Sequence, residues 1–129
     1  MRNLKTIILV VANLFFAHIG KAQTNTNQQK NDNMNQLVKL HDNTKPVSAQ
    51  VLFSTTEGKV MTLQIQKNGL LKEHVTKVEA LLVCVLGEVI YEDEKGKKVT
   101  LKAGELMHIE PMVKHWVNGV QDSQLLLIN

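Results

Sequence analysis

Between residues 59 and 66 apolar and polar side chains alternate strictly. Met61, Leu63 and Ile65 fall on one face, and Thr62, Gln64 and Gln66 on the other, the period of two expected of a strand. Residues 80–86 are continuously apolar, and Val83 and Val85 favour a strand buried on both faces over a short helix. In residues 88–92, Val89 and Tyr91 alternate with Glu88, Ile90 and Glu92, and in 97–102 Val99 and Leu101 alternate with Lys98 and Thr100. The polar run 93–96, ending in Gly96, joins these two stretches as a hairpin turn. Residues 124–128 form a last apolar run, and residues 35–41 fit either a short helix or an edge strand. Glycines recur between the short runs, at Gly58, Gly69, Gly87, Gly96, Gly104 and Gly119. Turn signals at such spacing predict an all-β sandwich or barrel.

The N-terminus has a different pattern. Residues 1–22 carry the three parts of a secretory signal peptide: Arg2 and Lys5, an apolar run over 7–19, and small residues Gly20 and Ala22. The apolar run is shorter than the ~20 residues needed to span a bilayer. Cleavage after Ala22 predicts a secreted or periplasmic protein without a stable membrane anchor. Residues 23–34 are almost entirely polar and cannot bury enough surface to offset their ordering entropy, so they are expected to be a disordered spacer. Residues 35–129 then make one domain.

Cleavage also changes the meaning of the charge. The formal net charge of +3 falls to zero when Arg2, Lys5 and Lys21 leave. Nothing in the mature balance points to a nucleic-acid partner. The single cysteine, Cys84, excludes an internal disulfide, and its apolar neighbours predict an inert buried thiol. No phosphate-cradling glycine loop, paired-cysteine zinc motif or nucleophile elbow occurs.

Two histidines carry the candidate chemistry, His74 and His115, each just after a turn signal. The first lies in the stretch that holds Gly69, His74, Thr76, Ala80 and Gly87. The second lies in the stretch that holds Gly104, Glu110, Pro111, Met112, His115, Asn118 and Gly119. Residues 101–106 (LKAGEL) complete the set. These motifs resemble those of the cupin superfamily, over roughly residues 48–128. The resemblance implies a double-stranded β-helix barrel with a pocket at one end. Cupin metal sites typically use three histidines and a glutamate. Here Thr76 stands at a histidine position and Ala80 at the glutamate position. Another register keeps Lys72, His74 and Glu79.

The resemblance therefore implies a small-molecule ligand contacted by His74, Met112 and His115. It leaves metal open. His74, Glu79 and His115 together would make a two-histidine, one-carboxylate set able to hold a single divalent transition metal, and would then support a dioxygenase- or isomerase-type enzyme. Residues five apart on a strand face opposite sides, so Glu79 joins His74 only across a bend. His108 is expected to be half-buried and structural, and His41 to lie in a surface loop. The acids at 92–94 are expected to form a solvated hairpin tip. Trp116 is expected to face outward, where it could serve a homodimer.

Overall fold

The structure is a computed structural model that describes residues 36–129. The expected signal peptide and the whole of the expected spacer lie outside the described residues. Among the described residues, nine strands follow a short 3-10 turn at Leu37–Lys39. They are β1 (Val47–Ser54), β2 (Lys59–Ile65), β3 (Leu70–His74), β4 (Ala80–Leu86), β5 (Glu88–Asp93), β6 (Lys98–Lys102), β7 (Leu106–Ile109), β8 (His115–Gly119) and β9 (Ser123–Ile128). They form a five-stranded sheet, order β1-β2-β9-β4-β7, and a four-stranded sheet, order β3-β8-β5-β6. The strand pairs are antiparallel.

Alternation decides what fills the space between the sheets. Val89 and Tyr91 of β5, Val117 of β8, Leu63 and Ile65 of β2, and Ala80, Leu82 and Cys84 of β4 are buried in one apolar cluster. Their removal from water is the main favourable term holding the sheets together. Burial also pushes the Cys84 thiol up, and Glu105 nearby adds to this. The thiol is buried, as expected, and its reactive thiolate form is disfavoured. Gly87, between β4 and β5, has φ +85°, and a Cβ there would lie 2.3 Å from the Asp122 carbonyl oxygen. No other residue would allow this bend without moving β9.

Three features differ from the sequence reading. The strand over residues 80–86 is buried strongly on one face only, and Val85 and Leu86 are exposed. The hairpin acids are not simply solvated. The Asp93 carboxylate is buried and accepts hydrogen bonds from the Lys95 and Lys97 amides at 2.9 and 3.0 Å. It closes the turn that Gly96 makes possible. Finally, the polar face of β2 is covered. Thr62 and Gln64 are buried because residues 41–43 fold over them. His41, expected on the surface, is only 5% exposed. Its Nδ1 is hydrogen-bonded to the Ser48 hydroxyl and its Nε2 to the Thr62 hydroxyl at 3.3 Å. The covering segment is brought to β2 from about twenty residues away, a distance over which alternation carries no information.

Candidate functional site

His74 ends β3 and His115 begins β8, and the two are direct cross-strand partners. Leu71 faces Val117, so three residues of β3 span two of β8. This β-bulge shifts the side-chain parity by one. Without it Leu71 and His74, an odd number apart, would face opposite sides. With it both line the barrel interior. The imidazole centroids lie 4.2 Å apart, tilted by 59°. Tyr91, on the neighbouring strand β5, stacks on His115 at 5.4 Å and 24°.

Hydrogen bonds orient both rings. His74 Nδ1–H donates to the Lys72 carbonyl at 2.8 Å, and His115 Nδ1–H donates to the Val113 carbonyl at 3.0 Å. A carbonyl oxygen can only accept, so each Nδ1 carries the proton. In the neutral ring Nε2 is then an acceptor. Neither Nε2 has a protein hydrogen-bond partner among the described residues. His115 is 1% exposed, and burial holds its pKa below the ordinary histidine value, with His74 adding to the lowering. Tyr91 is pushed up to about 12, first by burial and then by Asp93, whose carboxylate accepts its hydroxyl at 3.5 Å. The phenol therefore stays neutral and braces His115.

The pair stands at the end of a chamber of about 200 Å³. Its other walls are apolar: Met61, Leu63, Ile65, Leu71, Leu82, Ile109, Val117, Leu125 and Leu127. A wider vestibule of about 550 Å³ lies beside it, lined by Thr76, Lys77, Lys59 and Glu57 among others. Met61, His74 and Leu127 line both spaces, so His74 stands at their boundary. The Thr76 hydroxyl is buried and has no hydrogen-bond partner among the described residues.

The other expected site residues lie elsewhere. Glu79 immediately precedes β4, whose first residue Ala80 points into the core, so Glu79 faces the opposite way. Its carboxylate accepts from His108 Nδ1 at 3.0 Å, and both side chains are about 70% exposed. His108 is thus hydrogen-bonded as expected, but exposed rather than half-buried. Met112, expected to contact ligand, is 63% exposed with φ 61° and lines neither space. Its amide donates to the Thr76 carbonyl at 2.7 Å, so its role here is to hold the turn. Trp116 faces away from the chamber, half-buried, and its indole N–H donates to Glu92 at 3.2 Å.

These positions test the implied metal. A single divalent transition metal commonly takes at least three protein ligands. The chamber supplies two imidazoles, and among the described residues no three His, Cys, Asp or Glu side chains converge on one point. The set of His74, Glu79 and His115 does not assemble, because strand parity sends Glu79 to the surface. The residues present do not fit the group. Tyr91 is the site residue that sequence reasoning passed over. Its inward parity was visible beside Val89, but its contact with His115 depends on strand pairing.

Comparison with known proteins agrees with the architecture. The Cupin_2 family model, described as a cupin domain, matches residues 61–129. The chain belongs to the cupin superfamily. An RmlC-like cupin from Desulfovibrio desulfuricans superposes with a TM-score of 0.65 at 15% identity, covering 74% of this chain and 92% of the other. A conserved protein of unknown function, SPY1581 from Streptococcus pyogenes, gives 0.64 at 12% identity over 74% and 84%. KdgF from Halomonas sp. gives 0.58 at 15% identity over 64% and 76%. No curated protein matches the sequence. At these identities the structural likeness speaks for the cupin fold.

Proposed function

We propose that this cupin binds a small, largely apolar molecule inside the barrel without a metal ion. The carrying observation is the chamber of about 200 Å³, apolar on every side except where His74 and His115 meet. A dry cavity of about 150 Å³ is enough to hold benzene. A ligand of roughly that size would displace no strongly bound water from apolar walls and would gain by leaving water itself. The two imidazoles give the chamber one polar end, the usual means of orienting a ligand. The signal-like leader fits a domain that meets its ligand in the periplasm or outside the cell.

Toluene is a suitable first probe, followed by methyl NMR of residues 23–129. The expected result is saturable shifts at Leu71, Leu82, Val117 and Leu125, unchanged after treatment with chelator. No shift up to the solubility limit of toluene would end this reading. Shifts that appear only after a metal is added would instead favour a metal-dependent enzyme using His74 and His115.

A further inference from the structure

The polar end of the chamber has one chemical sense. Both Nδ1–H groups are committed to backbone carbonyls of their own strand segments, Lys72 and Val113. The nitrogens left for a ligand are two Nε2 lone pairs on rings 4.2 Å apart. Two acceptors side by side repel an anionic head group and leave an apolar ligand with unpaired partners. Leaving a buried acceptor unpaired is itself costly, which is why sites built on such groups reject analogues lacking the matching donor.

We infer that the natural ligand is a small apolar molecule bearing one O–H or N–H donor, which it gives to the paired Nε2 atoms of His74 and His115. A hydroxyl fits best. It is compact and uncharged, so it can donate to one imidazole without carrying a charge into the apolar chamber. The tail of such a molecule lies against Leu63, Ile65 and Leu125 in the chamber. The lowered pKa of His115 supports this polarity, since the neutral ring is the accepting one. This inference rests on the apolar-chamber reading and adds the head group to it.

Three molecules of matched shape separate the two claims: toluene, p-cresol and p-toluate, titrated into residues 23–129 by calorimetry and methyl NMR. p-Cresol is expected to bind about tenfold more tightly than toluene, the factor that one buried hydrogen bond commonly decides. p-Toluate is expected to bind more weakly than p-cresol. In His74→Phe and, separately, His115→Phe, the advantage of p-cresol should shrink to less than threefold while toluene still shifts the chamber methyls. The toluene response also shows that each variant has folded. Equal binding of toluene and p-cresol to the wild type overturns the inference and leaves the chamber reading intact. So does preference for p-toluate, or an advantage of p-cresol that survives in both variants. If none of the three binds, the chamber reading fails and the inference fails with it.

Discussion

Two histidine sites lie on opposite faces of β2, and they use the same side chain in different ways. Outside, His41 has both ring nitrogens hydrogen-bonded within the chain, to Ser48 and Thr62. Inside, His74 and His115 each have one nitrogen tied to backbone and one unpartnered. A histidine with both nitrogens satisfied is a peg that holds a segment in place. One with a free nitrogen facing an apolar chamber has unspent hydrogen-bonding capacity, and that capacity is what a ligand can use. Burial alone does not separate the two cases, since His41 and His115 are both nearly inaccessible.

The comparison breaks most sharply at His115. His115→Ala removes a fully buried ring and the stacking partner of Tyr91, and is expected to cost about 2–4 kcal/mol, in the range of large-to-small core changes. Chemical denaturation of the variant checks this, and the advantage of a donor-bearing ligand over a plain one should fall at the same time. His41→Ala comes next. It leaves the Thr62 and Ser48 hydroxyls short of a partner and should cost about 1–3 kcal/mol. Ligand affinity in the chamber should not change. A large loss of affinity in His41→Ala would show that the outer site shapes the inner one.

A smaller effect is expected with pH. Burial lowers the pKa of both His41 and His115 from the usual 6.5. Asp42 opposes the shift at His41 without cancelling it. A histidine whose folded pKa lies below its unfolded value favours the folded state when neutral. Their contribution is therefore fully present above about pH 6.5 and is lost progressively as pH falls toward the lowered folded values. Thermal midpoints measured between pH 7.5 and 5 should decline, and His41→Gln should flatten part of the decline. The smallest effect belongs to Glu79→Ala. Its hydrogen bond with His108 is exposed on both sides, so the expected cost is below about 1 kcal/mol. Chamber binding should be untouched. A marked loss of ligand binding in Glu79→Ala would bring Glu79 back into the site.

Much of the fold was legible because its signals are local. Alternation in residues 59–66 and 88–92, the unbroken apolar stretch at 80–86 and the turn glycines correspond to β2, β5, β4 and the turns between strands. Gly87 and Gly96 occupy the positive-φ positions that their turn signals imply. His74 and His115 were also legible as a pair, through the cupin-like spacing around them. The exclusion of Glu79 was not legible in this way, because a loop rather than a strand joins His74 to Glu79, and its outward direction follows from Ala80 pointing into the core.

What the sequence determined by itself is what depends on neighbours along the chain: strand period, turn chemistry, and the residue types available to a site. Tertiary structure decided what depends on pairing. The bulge in β3 turned His74 inward to meet His115. Pairing of β5 with β8 placed Tyr91 against that ring. The fold of residues 41–43 over β2 made His41 a buried peg rather than a loop residue. The physical reason is range. A side chain's face is set by two or three bonds of backbone geometry, whereas its partner is chosen by contacts between residues far apart in the chain, whose positions become defined only when the whole core closes.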